Sequence, residues 1–357
     1  MPINNSPGES KQIAYLNVLR VMGITGVLVT HVFMTTCANW TPVLQKSQLY
    51  FCTVLRNLWH WCVPVLVMIS GVLFLNPEKD IPVSKLIAKY VLKIALALAL
   101  LAIPAEVALQ FLASGHQFNP RHIKTAILNI LQGKTQTHFW FLYLIIGIYL
   151  ITPFLRTFTR YTTRKNYEYL LVILFLFTSV IATIRKAALV DFGISIPISS
   201  VYVMYFLLGF YIHHYNVTLP PKIPVAVIFC FVLYTALAPL DKNLINPVLD
   251  NMLIISDNDS PIIVLTASAI FISIRTKCAN FHYFDYLAPL CFVIYLVHPF
   301  FIYALYLLLD WTPLNYPLPL FLSVTVLAAF ALSVGTSFCV KKIKHAISSA
   351  IGRFRQG

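Results

Sequence analysis

Charge is what this sequence has least of. Only 11% of its 357 residues are Asp, Glu, Lys or Arg, against about 25% in an ordinary soluble domain. Hydrophobic residues make up 59%, and they come in runs of roughly twenty, the length that crosses about 30 Å of hydrocarbon. The connectors between the runs are too short to hold a soluble domain. The sequence therefore predicts an all-α, polytopic membrane protein that forms one domain over residues 1–357.

Closely spaced cysteines are also missing. The seven cysteines are scattered, and none forms a close pair with the spacing of metal ligands, so we expect packing residues and no metal. The net charge of +14 lies in membrane connectors, without the soluble basic patch that nucleic acid would need. We therefore expect membrane lipid as a partner and no nucleic acid.

The apolar runs predict ten transmembrane spans. Their approximate limits are 13–36, 51–75, 86–113, 138–156, 167–185, 198–214, 222–240, 260–275, 286–309 and 317–340. With the N-terminus inside, 18 of the 26 Lys and Arg residues fall on the cytoplasmic side and 8 on the outer side. Because cytoplasmic loops carry the excess of positive charge, both termini are predicted to face the cytoplasm.

One connector has helical character of its own. In the stretch "NPRHIKTAILNILQG", Asn119 is a plausible N-cap and Pro120 suits the first helical position. The isoleucines at 123, 127 and 130 fall with Leu131 on one face, and Asn129 points away from it. The pattern predicts a short amphipathic helix on the outer membrane surface.

The first span keeps two costly polar residues, Arg20 and His31. Eleven residues at about 100° each leave them only about 20° apart around the helix and roughly 16 Å apart along it. Ionisable residues inside a span usually mark a functional site. A snorkelling anchor for Arg20 and a histidine satisfied by a neighbouring helix for His31 are the structural alternatives.

Several segments, taken in order, resemble the acyltransferase 3 family of integral membrane acyltransferases. They are the Arg20-x10-His31 pair, "VPVLVMISGVLFL" (63–75), "HFWFLYLIIGIYLITPFLR" (138–156), "YFLLGFYI" (205–212) and "YLVHPFF" (295–301). The resemblance covers essentially the whole chain. It is nearest to the branch that O-acetylates bacterial surface glycans, including enterobacterial common antigen.

The resemblance implies an O-acyltransferase of the bacterial cytoplasmic membrane. Acetyl-CoA or another acyl-CoA would be the cytoplasmic donor, and a hydroxyl of a surface glycan, carried on a polyprenyl lipid in one version, would be the acceptor. His31 would be the central catalytic residue and Arg20 its partner. A histidine suits this role, since it can remove the hydroxyl proton or carry the acyl group itself.

The sequence departs from the family pattern in two regions. Many relatives have an aspartate about three residues before the arginine, where this chain has Asn17. Many also place two arginines three residues apart near the third span, where this chain has Lys85, Lys89 and Lys93. Spaced by four, these lysines form one basic stripe that could bind the phosphates of coenzyme A or simply anchor the helix.

The remaining candidates lie on the expected acceptor side. They are His138 and Trp140 at the outer mouth of the fourth span, and Tyr295 and His298 on the ninth. A membrane anchor for Trp140 and a structural role for His298, beside the kink expected at Pro299, are the alternatives. A small-anion transporter is the competing function, although the two related halves typical of transporters are not evident.

Overall fold

A computed structural model describes residues 7–79, 81–115, 117–135, 137–188, 193–194, 196, 200–237 and 257–354. Every regular element among them is a helix, which confirms the all-α prediction. The α-helices are α1 (Pro7–Trp40), α2 (Lys46–Asn57), α3 (Cys62–Phe74), α4 (Val83–Lys85), α5 (Leu92–Ala113), α6 (Arg121–Leu131), α7 (Trp140–Tyr161), α8 (Arg164–Phe175), α9 (Ile181–Ala188), α10 (Val201–His214), α11 (Lys222–Leu237), α12 (Pro261–Lys277), α13 (Cys291–Leu308) and α14 (Leu318–Phe354). Single π-helical turns, Leu86–Val91 and Leu176–Val180, join α4 to α5 and α8 to α9.

Each of the ten predicted spans coincides with helical structure. Within the described residues, seven helical runs are long and apolar enough to cross a membrane, and α10 and α11 are shorter apolar helices. The eighth predicted span, 260–275, coincides with α12, which has 17 residues. Residues 198–199 and 238–240 of the predicted spans lie outside the described residues. The number of crossings and the cytoplasmic side of both termini stay predictions.

The second predicted span, 51–75, differs from the structure. Its helix begins earlier, at Lys46, and turns at residues 58–61 divide it into α2 and α3. The break packs against Gly26 of α1, where an added Cβ would lie 2.2 Å from Cys62 Sγ and 2.6 Å from the Trp59 ring. Because Gly26 has no side chain, the turn at residues 58–61 can pack closely against α1. This contact between distant residues is not visible in the hydrophobic periodicity of the sequence.

The chain divides into two compact units, Met1–Val72 with Glu168–Gly357, and Leu73–Tyr167. In the first unit α1 is central, since it contacts α2, α12, α13 and α14. Its C-terminal half joins an apolar cluster that includes Leu28, Val32, Ile302 and Phe321. The prediction that residues 1–357 form a single domain stays a prediction.

Helices α3 and α10 approach each other through two glycines. A Cβ on Gly71 would lie 1.8 Å from the Phe206 carbonyl oxygen, and one on Gly209 would lie 2.2 Å from that of Met68. Ser70 donates its hydroxyl to the Leu66 carbonyl at 3.3 Å. The Ser-Gly pair is thus a close-packing site with a backbone-bonded hydroxyl, as small residues commonly are between membrane helices.

The second unit contains the predicted amphipathic helix as α6. Asn119 Oδ1 accepts the Arg121 N–H at 2.9 Å, so Asn119 caps the helix start as expected. Ile123, Ile127 and Leu131 are exposed along one side. On the other side Asn129 donates to Glu106 of α5 at 3.0 Å. The helix is confirmed, and its position on the outer membrane surface stays a prediction.

Candidate functional site

Helix α1 carries both residues that the sequence selects on the first span. It is an uninterrupted α-helix from Pro7 to Trp40, so Arg20 and His31 keep the spacing of eleven helical residues. Both side chains are half-buried. Between them on the same side of α1, Ile24 and Val27 are buried, so only the two ends of this side are partly accessible.

The ring of His31 lies against the ring of His298. Their centroids are 5.2 Å apart, with 54° between the ring planes. His298 is fully buried in α13, whereas His31 is half-buried. The structure therefore brings together two histidines that are 267 positions apart in the chain, with His31 as the more accessible ring.

The sequence "YLVHP" determines how His298 is held. Pro299 has no N–H, so the carbonyl of Tyr295, four residues earlier, lacks its helical donor. His298 Nδ1 lies 2.8 Å from that carbonyl oxygen and 3.2 Å from the Ile294 carbonyl oxygen. Because a carbonyl only accepts, Nδ1 carries the proton, and Nε2 of the neutral ring holds the lone pair. The His-Pro pair thus selects one tautomer.

Tyr295 is the third predicted site residue in this region. It is buried one helical turn before His298, and the two ring centroids are 6.1 Å apart. The defined contact between Tyr295 and the histidine pair is made by its backbone carbonyl, which accepts the hydrogen bond from His298 Nδ1–H.

The other end of the site contains a chain of hydrogen bonds. Arg20 Nη1 donates to Asn17 Oδ1 at 3.2 Å, and Asn17 Nδ2 donates to Asp285 Oδ1 at 2.8 Å. His282 Nδ1 donates to Asp285 Oδ2 at 2.7 Å. The Asn17 hydrogen bond, followed by His282, lowers the pKa of the Asp285 carboxyl below its usual range. Asp285 is therefore ionised at neutral pH.

Asp285 and His282 were not identified from the sequence. They lie in the connector between α12 and α13, where "FHYFDY" carries no recognisable motif. Only the His-x-x-Asp spacing hints at a local pair, and such pairs are common on surfaces. What makes them part of the site is a contact with Asn17, 268 positions away.

The predicted lysines belong to the second unit. Lys85, Lys89 and Lys93 are all exposed, and Lys89 lies in the π-helical turn Leu86–Val91. Such turns are rare and frequently coincide with functional sites. Exposed ammonium groups fit phosphate binding, and they fit anchoring to anionic lipid equally well.

His138 and Trp140 also lie in the second unit. His138 is buried, with its ring centroid 3.9 Å from that of Phe139, and Trp140 is 39% exposed at the start of α7. The exposed indole is the arrangement expected of an interfacial anchor. Among the described residues, no group of three or more His, Cys, Asp or Glu is arranged to hold a metal ion.

Comparison with known families identifies the class of this protein. A family model described as an acyltransferase domain matches residues 13–338, nearly the whole chain. The chain therefore belongs to the acyltransferase 3 family, and it is a membrane acyltransferase. Searches of curated proteins and of solved structures found no match.

Proposed function

We propose that this protein is an O-acyltransferase of the bacterial cytoplasmic membrane. It takes an acyl group, with acetyl as the expected one, from cytoplasmic acyl-CoA and transfers it to a hydroxyl of a surface or lipid-linked polysaccharide. The observation that carries the proposal is the contact between His31 and His298 inside the helices of an acyltransferase. His31 is the more accessible ring, so it is the proposed catalytic residue.

The chemistry requires one proton transfer and one exchange of acyl partners. As a base, His31 takes the proton of the acceptor hydroxyl while the hydroxyl oxygen attacks the thioester carbonyl. The thiolate of coenzyme A then leaves and receives that proton, which gives an ester and a free thiol. As a nucleophile, a ring nitrogen of His31 instead attacks the thioester carbonyl, and coenzyme A leaves as the thiolate and takes up the imidazole proton. The acceptor hydroxyl then attacks the acyl-imidazole, which forms the ester and returns a proton to His31.

His298 assists either route through its fixed tautomer. With the proton on Nδ1 held at the Tyr295 carbonyl, Nε2 is the ring nitrogen that can take up a further proton. Positive charge that develops on His31 is then shared by a second ring. Arg20 lies roughly 16 Å away along α1, where its guanidinium suits an anionic part of the donor.

The exposed lysines 85, 89 and 93 are the proposed partners of the coenzyme A phosphates. His138 and Trp140 are the proposed contacts of the acceptor. Both assignments rest on the residue types and on the family resemblance.

The proposal is tested by the O-acyl content of surface glycan in a deletion strain. The strain is complemented with wild type, His31→Ala or His345→Ala, and the three proteins are matched for membrane abundance. His345 is an exposed histidine of α14 and serves as the control. We expect wild type and His345→Ala to restore acyl esters and His31→Ala to restore none. Equal esters from His31→Ala would remove His31 from the mechanism, and no esters from wild type would favour anion transport.

A further inference from the structure

Asn17, three residues before Arg20 on α1, lies beside a carboxylate from a distant part of the chain. Asp285 reaches Asn17 from the connector before α13, and Asn17 in turn reaches Arg20. We propose that the Asn17–Asp285 hydrogen bond is a positioning device for acyl transfer. It holds Arg20 at one end of the site and sets the register of α13 on α1, so that His298 meets His31. This inference rests on the proposed function.

The polarity of the three groups requires a side chain at position 17 that both accepts and donates a hydrogen bond. The guanidinium of Arg20 only donates and the ionised Asp285 only accepts, so the residue between them must accept on one side and donate on the other. Asn17 does both, through Oδ1 and Nδ2. An aspartate at 17 could still accept from Arg20, but it would face Asp285 with like charge.

Burial makes the contact specific. Asn17 is 8% exposed, so an unpaired amide there would leave buried polar atoms without hydrogen bonds. Asp285 is exposed over 43% of its side chain, and His282 from the same connector orients its second oxygen. A surface carboxylate is thereby fixed against the central helix from two sides.

The spacing along the two helices links this contact to the histidine pair. Fourteen positions separate Asn17 from His31 on α1, and thirteen separate Asp285 from His298 along the connector and α13. The two contacts, Asn17–Asp285 and His31–His298, therefore join the same two chain segments at nearly matched intervals. A shift of α13 by one helical residue, about 1.5 Å, would change both contacts together.

The test exchanges the two polar groups. Purified Asn17→Asp, Asp285→Asn and the double variant are compared with wild type for kcat and KM toward acyl-CoA, and for thermal stability. In the double variant, the new carboxylate at position 17 still accepts from Arg20. The new amide at position 285 donates to that carboxylate and accepts from His282, so every hydrogen bond has a counterpart.

We expect Asn17→Asp to lower kcat/KM about tenfold, the scale of a lost hydrogen bond to a charged group. We expect the double variant to recover to within about threefold of wild type.

A matched control removes another amide–arginine hydrogen bond of the same unit. Arg275 Nη1 donates to Asn216 Oδ1 at 2.7 Å, and Asn216 has a φ of 50°, so Asn216→Gly removes the amide and keeps the backbone conformation. This control should lower thermal stability without changing kcat or KM. If the double variant is as impaired as Asn17→Asp, or if Asn17→Asp retains full activity, the positioning role is wrong. If wild type itself transfers no acyl group, the proposed function is wrong. The thermal stabilities of wild type and the three variants then still form a double-mutant cycle, which measures the interaction energy between residues 17 and 285.

Discussion

The two ends of the site on α1 hold their polar groups by different means. At the His31 end, a backbone carbonyl released by Pro299 fixes the tautomer of His298, and the fixing residues are neighbours in sequence. At the Arg20 end, an amide and a carboxylate from distant segments form the contact, and every link is a side chain. The first arrangement is local, so we expect substitutions elsewhere in the chain to leave the His298 hydrogen bond intact. The second depends on how α13 and its connector lie on α1.

This comparison predicts that damage at the histidine end mainly lowers kcat. Replacement of His298 by Ala removes the ring that we propose shares the positive charge of His31, and we expect transfer to fall by about 10²-fold, the lower range for a general acid–base group. The measurement is the steady-state release of free thiol from acyl-CoA by purified protein. His298→Asn is the companion variant, since its amide can donate to the Tyr295 carbonyl but takes up no proton. Recovery of full activity by His298→Asn would show that His298 is only structural.

Pro299→Ala separates the tautomer from the histidine itself. The new backbone N–H competes with His298 Nδ1 for the Tyr295 carbonyl, so the tautomer is no longer selected. We expect activity to fall about fivefold, the size of one hydrogen bond of ~1 kcal/mol, while thermal stability stays equal or rises because alanine favours the helix. Parallel activity and melting measurements check this. A variant that loses stability and activity together would contradict the tautomer argument.

The lysines at 85, 89 and 93 should affect KM rather than kcat. Joint replacement by Gln removes three exposed cations, and we expect the KM for acyl-CoA to rise several-fold, with each exposed charge contributing up to about 1 kcal/mol. The control replaces Lys165, Lys222 and Lys277 by Gln, which removes the same charge from other exposed positions. If KM for acyl-CoA changes equally in both triple variants, Lys85, Lys89 and Lys93 anchor the helix to the membrane and do not bind the donor.

The smallest expected effect concerns pH at the Arg20 end. Since the pKa of Asp285 is lowered in the folded protein, its ionised form stabilises the fold above the ordinary carboxyl pKa of about 4. That contribution is lost only as pH falls through the lowered pKa. The melting temperatures of wild type and Asp285→Asn should therefore differ at pH 7 and converge in acid below about pH 4. If the difference in melting temperature stays constant from pH 7 to below pH 4, the ionised Asp285 does not stabilise the fold as described.

Much of the fold follows from apolar periodicity. The positions of all ten predicted spans, and of α6 in the connector, are helical in the described structure. The break between α2 and α3 was missed because it depends on the space that Gly26 leaves for Trp59 and Cys62. No local pattern records such a contact between α1 and the turn at residues 58–61.

For the candidate site, the sequence indicates residue types but not their pairings. The cost of ionisable groups inside a span selected Arg20, His31 and His298. The approach of His298 to His31 and the link from Asn17 to Asp285 depend on tertiary packing. Asp285 in particular is an ordinary connector residue until α13 places it beside Asn17.

The central claim is that His31 transfers an acyl group between the two sides of the membrane. The most direct measurement supplies acyl-labelled acyl-CoA to the outside of sealed inside-out vesicles from cells with the acceptor glycan. Ester-linked label is then counted in the lumen. We predict luminal ester with wild type and none above background with His31→Ala at equal protein abundance. Equal luminal ester with His31→Ala would contradict the account.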